Sequence, residues 1–347
     1  VARRAAPVFV FLPMPSTTDG LRWPHARVLL PRTRLAYVHL PNLLNDALRD
    51  RSARVFGYVA IWLEKELVML YLQEGKVVTA TVTTDGRAWQ AIAIAEAVAK
   101  VPASPEFGAI CFHEAADEQL AAMYWSQVQR AVDWPGELAV HDGPAVLSYL
   151  MAHLYDGLLE VAVGGRLSYC TFRDGSPRHG YFAVAGEGAV GERLSALVSA
   201  SPAMLGGGTG EAPVLRLRRF GVPAVLPVQA PPALIAAYRE LLRQIVKKLV
   251  ETGNAQAPQV AEQARLHLVQ AHPLLHHFAI DNRNLRDPVV DAPTLTATMA
   301  KWTTDVLWGA GAEGPPPEQV LAEVGRERRH LLQSAGYWEA LPWRVTW

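Results

Sequence analysis

Three histidines near the C-terminus, His272, His276 and His277, are the residues best suited to hold a metal. His272 and His276 stand four apart, which on a helix puts two imidazoles on one face, as zinc requires, with His267 or Asp281 as a third ligand. Pro273 falls between them, places His272 at a helix boundary and spoils that spacing, so no metal is expected. Cys111 and His113 lie two apart in a strand-like run and share a face, as a nucleophile and its base would. Nothing in the sequence orients the histidine, and core packing is the expected role of Cys111 and of Cys170. Gly186-Glu-Gly188-Ala-Val-Gly191 fits the dinucleotide pattern that lays a pyrophosphate on a helix N-terminus. Its preceding strand belongs to a hairpin rather than a βαβ unit, so a connecting loop is expected and no cofactor. Gly206-Gly-Gly-Thr-Gly210 lacks the lysine and hydroxyl of a phosphate loop and reads as a connection.

Cationic and aromatic residues suit docking better than catalysis. In Val214-Leu-Arg-Leu-Arg-Arg-Phe220, alternation puts Arg216 and Arg218 on one side of a strand and Leu215 and Leu217 on the other. A solvated basic face is expected there, or a contact for an acidic partner. No exposed aromatics interleave with these arginines, so nucleic acid is not expected. The first 37 residues carry six arginines, Arg3 and Arg4 among them, against one acid, Asp19, and hold five prolines. Proline fixes φ and removes a donor, so this arm is expected to be extended, packed along its own domain or docked on an acidic partner. Trp338, Trp343 and Trp347 crowd the C-terminal end and are candidate partner anchors.

The elements that position these residues repeat at an offset of one hundred. Gly57, Leu67, Gly75 and Gly86 fall on Gly157, Leu167, Gly175 and Gly186 without a gap. In each copy an acid followed by glycine, Glu74-Gly75 or Asp174-Gly175, separates two apolar runs and signals a hairpin. Gly57, Gly75, Gly157 and Gly175 are therefore read as turn-forming. A short apolar helix precedes each hairpin, at Pro41–Leu48 and Ala145–Leu154. A further strand and a helix follow, Trp89–Lys100 in the first copy and Val190–Ser199 in the second, then a strand at Gly108–Glu114 or Val214–Phe220. Each copy closes on a helix, Asp117–Val132 or Ala233–Glu251. Beyond residue 252, patterns at Pro258–Ala271, Pro273–Phe278, Leu295–Trp308 and Pro317–Ser334 predict helices alone.

A glycine opening a strand, a strand ending in an acid-Gly turn, a further strand and a helix resemble the PATAN-type modules of bacterial regulatory proteins. The resemblance implies regulation through protein–protein contact, in signalling or surface motility, with no catalytic residues to carry over. The expected fold is α+β: a basic arm (1–37), two antiparallel-sheet-plus-helix modules (38–135 and 136–252) and a helical domain (253–347). The expected role is a non-enzymatic scaffold acting on a protein partner or on itself. The alternative is a metal- or nucleotide-binding enzyme or sensor using the C-terminal histidines or the Gly186–Gly191 loop.

Composition excludes several classes. The 347 residues are 50% hydrophobic and 19% charged, too apolar for a disordered chain. Thirty-three basic against thirty-three acidic residues argue against nucleic-acid binding through overall charge. Two cysteines are too few for a disulfide framework, and no apolar run is long enough to span a membrane. A cytoplasmic protein is expected, with no small-molecule ligand.

Overall fold

The computed structural model describes residues 18–49, 55–103, 105–132, 142–199, 213–219, 225–279, 286–311 and 315–347. Two antiparallel sheets and a helical C-terminal region make up an α+β protein. Strands β1 (Arg27–Arg34), β2 (Gly57–Trp62), β3 (Leu67–Gln73), β4 (Lys76–Thr83), β5 (Trp89–Ile92) and β6 (Ala109–Glu114) form a six-stranded sheet in the order β1-β6-β2-β3-β4-β5. Strands β7 (Gly157–Val163), β8 (Arg166–Arg173), β9 (Ser176–Tyr181) and β10 (Val214–Arg218) form a four-stranded sheet in the order β10-β7-β8-β9.

The hundred-residue offset holds in the backbone register. Gly57 pairs with Leu72 and Trp62 with Leu67; Gly157 pairs with Phe172 and Ala162 with Leu167. Both second hairpins slip register at the same place, between Tyr71 and Leu72 and between Thr171 and Phe172. Glu74 and Gly75 have φ of 50° and 77°, Asp174 and Gly175 of 49° and 73°, so both turns run left-handed through two residues. A Cβ on Gly75 would stand 2.1 Å from the Ala47 carbonyl oxygen, and one on Gly175 2.5 Å from Met151 Cα, because each turn packs against the helix preceding its hairpin. Gly57 and Gly157 serve a different purpose from the expected turn: each opens a strand. Cβ atoms there would meet the carbonyl oxygens of His113 and Arg218 at 2.3 and 2.2 Å, so glycine lets the neighbouring strand close in.

Alternation along the strands sorts side chains into layers. On the outer face of the first sheet, Val59, Ile61, Val68, Leu70, Ile110 and Phe112 pack against helices α1 (Leu40–Arg49) and α2 (Ile94–Ala99). On its inner face, Tyr58, Ala60, Trp62, Met69, Tyr71 and Cys111 pack against helix α3 (Asp117–Val128). The second sheet covers the other side of α3 with Leu158, Leu167 and Tyr169. Its far face buries Leu159, Val161, Cys170, Phe172 and Leu217 under helices α4 (Gly143–Ala152) and α5 (Val190–Ser199). The order is thus helices, sheet, one helix, sheet, helices.

Helices α6 (Pro232–Glu251), α7 (Ala257–Leu268), α8 (Ala292–Gly309), α9 (Pro317–Gly325) and α10 (Arg329–Ser334) bury a separate core around Tyr238, Ile245, Trp302 and Tyr337. The sequence reading assigns α6 to the second module as its closing helix. Its stripe of Leu234, Tyr238, Leu241, Ile245 and Leu249 is instead buried in this C-terminal core. Another difference lies at 89–100, read as one helix. Trp89–Ile92 is a strand on β4, and only Ile94–Ala99 is helical, because Ile92 and Ile94 suit either period. The second copy has no β5 among the described residues; the Gly186 loop occupies that position.

Residues 18–37 of the arm belong to the body. Trp23 is buried in the α3 layer, Arg22 bridges to Arg166 at the start of β8, and β1 pairs with β6. Residues 225–230 tie the helical core to the first sheet: Gln229 N donates to Val78 O, and Gln229 Nε2 to Thr79 Oγ1 and Ile92 O. Among the described residues, no helix is long and apolar enough to cross a membrane.

Gly75→Ala combines a left-handed φ with a backbone clash and is expected to lower unfolding free energy by about 2–4 kcal/mol. Gly20→Ala, with open space around the position, is expected to stay within about 0.5 kcal/mol of wild type. Denaturant titration of the two variants checks the contrast.

Candidate functional site

Strand β10 has the alternation its sequence predicts, but its basic face is not solvated. Leu217 lies in the outer core, while Arg216 and Arg218 point toward the α3 layer. Arg218 is 5% exposed, and its Nε donates to the Ser126 carbonyl in the last turn of α3 at 3.0 Å. Arg216 Nη1 donates to Glu160 Oε1 at 3.0 Å, and Glu160, on β7 opposite Arg216, is itself buried. Burial pushes the Arg218 guanidinium below its usual pKa, while the Glu160 carboxylate pulls it back up. A helix C-terminus presents free carbonyls and a partial negative charge, which explains why cations gather at this end of α3.

A cleft of about 420 Å³ opens where the two sheets meet over that end. Arg87 and Trp89 line it from the approach to β5, Gln129 and Arg130 from the end of α3, and Arg216 and Arg218 from β10. Arg87 and Arg130 are exposed and have no acidic partner among the described residues. Gln129 Oε1 is buried without a hydrogen-bond partner. Behind the cleft, Gln127 Oε1 accepts from Tyr71 Oη at 2.7 Å and Thr81 Oγ1 at 2.6 Å, which anchors α3 to the first sheet. Among the described residues the wall is cationic and free of lysine, and it has the chemistry to receive an anion.

The other candidates are placed differently. Cys111 and His113 share the inner face, as alternation predicts, but neither is ionised at neutral pH. Burial pushes the Cys111 thiol up to about 11, and burial with the neighbouring His25 and Arg22 pushes the His113 imidazole down to about 4. Tyr58 Oη lies 2.8 Å from His113 Nδ1, and the His25 ring lies 4.3 Å from the His113 ring, so the pair joins the segment before β1 to β6. His272 caps a 3-10 turn (Pro273–His277) with its Nδ1 3.3 Å from Thr298 Oγ1, and His277 Nδ1 lies 3.2 Å from Arg286 O. The described residues gather no group of three metal-binding side chains; Asp281 lies outside them.

The Gly186–Gly191 loop is filled by its own chain. Ala189 N donates to Glu192 Oε2, which puts a carboxylate at the start of α5 where a pyrophosphate would sit. Arg193 donates to Val184 O and stacks over the Phe182 ring at 4.1 Å. Two of the three tail tryptophans are half-buried at home: Trp338 meets Tyr337 and Trp347 edge-on, each at 5.0 Å, and Trp343 meets Trp308 at 5.8 Å. Trp347, under the Arg329 guanidinium, and Trp308 keep 43% and 62% of their surface exposed. Arg3, Arg4 and residues 206–210 lie outside the described residues. Arg87, Arg130 and Gln129 were not singled out by the sequence, since no motif or periodicity connects a β-turn, a helix end and a distant strand.

Removing the Glu160 carboxylate leaves Arg216 and Arg218 facing each other without compensation. Glu160→Ala is expected to destabilise the fold by about 3 kcal/mol, read by denaturant titration. Because the folded His113 pKa lies below its ordinary 6.5, the unfolded chain binds the extra proton between those values. Stability therefore falls as pH drops from about 6.5 to about 4, and His113→Gln is expected to flatten that part of the stability–pH curve. An unchanged slope would contradict the assignment. Compared with known proteins, the chain matches no family model, no curated protein and no solved structure.

Proposed function

We propose that this chain is a non-enzymatic regulatory scaffold of the bacterial cytoplasm that works by protein contact, in line with its resemblance to PATAN-type modules. The observation that carries the reading is the cationic cleft at the module seam. The guanidinium groups of its two rim arginines, Arg87 and Arg130, make no ion pair among the described residues, and its floor is fixed by Glu160 and Ser126. Such a surface suits an acidic group presented by a partner, because exposed guanidinium groups give steering and bidentate recognition on a preorganised wall. The neutral Cys111 and His113 support a binding role over nucleophilic chemistry on the inner face of the first sheet. Trp308 and Trp347 offer a second, aromatic contact on the helical region, suited to a protein partner or another copy of the chain.

Affinity purification of the full chain from its native cell, quantified by mass spectrometry, tests the reading. The double variant Arg87→Glu/Arg130→Glu is expected to lose most of the partner retained by wild type, with the melting temperature held. Equal retention by both forms would reject the cleft as the docking surface.

A further inference from the structure

Among the described residues, four arginines and no lysine line the cleft, and two carboxylates compensate them: Glu160, paired with Arg216, and Asp85, which accepts from the Arg87 and Ala88 amides. Four positive charges less two negative leave two. The C-terminal end of α3 offsets about half a unit more, since a helix dipole acts as a partial charge there. The surplus exceeds what a single carboxylate carries and suits a phosphate group, with about −1.5 to −2 at neutral pH and three acceptor oxygens. Guanidinium groups match such an oxyanion with paired, planar donors, whereas an ammonium acts as a point charge.

The arginines are also held in a way that leaves donors to spare. Arg218 is fixed through Nε on Ser126 O, and Arg216 through Nη1 on Glu160, so each keeps further N–H groups on a restrained fork. Arg87 and Arg130 stand at the rim with their guanidinium groups uncommitted among the described residues. A recess of about 420 Å³ is the size of a site for one small group rather than a peptide helix.

Resting on the scaffold reading for the place of contact, we propose that the cleft is a phosphate-recognition site that takes a phosphomonoester. The ester comes either from a phosphorylated side chain of the partner or from a free phosphorylated metabolite. Both sources present the same terminal oxyanion, and Trp89 on the cleft wall offers a flat surface for what the phosphate is attached to.

Isothermal titration of the full chain with O-phosphoserine, inorganic phosphate and glutamate at matched ionic strength tests this. The expected result is one saturable site for the two phosphates, with glutamate weaker by about tenfold or more. Arg87→Glu/Arg130→Glu is expected to lower phosphate affinity by a similar factor, and Arg87→Lys/Arg130→Lys to fall between. Circular dichroism confirms that each variant is folded. Glutamate binding as tightly as phosphate, or phosphate affinity unchanged in the Glu variant, would overturn the proposal. Adding phosphoserine during the affinity purification separates the sources. Release of the partner assigns the site to a phosphorylated side chain, and retention with a normal titration assigns it to a free phosphorylated molecule. If the double variant loses the partner while no phosphate binds, the scaffold reading stands and the phosphate proposal falls. If phosphate binds while the variant retains the partner, the reverse holds.

Discussion

Helix α3 has no free side over most of its length, and the architecture depends on that. Residues Gln119 to Tyr124, together with Ser126 and Gln127, are buried in a single helix of 12 residues. A helix covered by a sheet on one side shows an apolar stripe, whereas one covered by sheets on both sides must be compatible with burial all round. Polar residues within α3 are then tolerated only because each finds a partner. Gln119 Nε2 donates to Pro24 O, Gln127 takes the hydroxyls of Tyr71 and Thr81, and Ser126 Oγ donates to Met123 O while its carbonyl receives Arg218. The helix is a shared core for two modules that are otherwise copies.

That sharing explains where the repeat stops. The hairpins, their bulges and the closing strand are duplicated because each is a local or near-local solution to burying one sheet face. The layer between the sheets can be filled only once. Residues 225–230 therefore only bond the edge of the first sheet, through Gln229 to Thr79 and Ile92, and α6 opens a new core. Seam residues differ between the copies for the same reason. Glu160 and Arg216 face the α3 layer, whereas their counterparts on the first sheet, such as Ala60, are apolar.

The local part of this fold was legible in the sequence. Glu74-Gly75 and Asp174-Gly175 announce their turns because two successive left-handed residues leave few chemical choices. The spacing of Leu234, Tyr238, Leu241 and Ile245 announces a helix, but periodicity cannot say which core it serves. Trp89–Ile92 failed for the opposite reason: four residues are too few to separate a period of 2 from one of 3.6. Alternation correctly put Arg216 and Arg218 on one face, and it is silent on what lies across from that face. The cleft itself joins residues 87, 130 and 216, whose meeting follows from stacking two sheets on one helix. The bridge from Arg22 to Arg166 is equally non-local.

The shared helix also has a consequence for the order in which the protein can be made. Synthesis proceeds from the N-terminus, and domains generally fold as units as they emerge. The first sheet and α3 are complete in sequence by residue 128, yet the side of α3 that meets Leu158, Leu167 and Tyr169 has nothing to cover it until those residues leave the ribosome. Arg22 likewise waits for the chain at Gly165 and Leu167 to supply its backbone partners. The nascent first module therefore carries an open apolar flank for the time it takes to add roughly forty to ninety residues. At ordinary translation rates of about 5–20 residues per second this is an interval of seconds, far longer than hydrophobic collapse needs. During that interval the same flank on a neighbouring nascent chain, or a chaperone, competes with the protein's own second sheet.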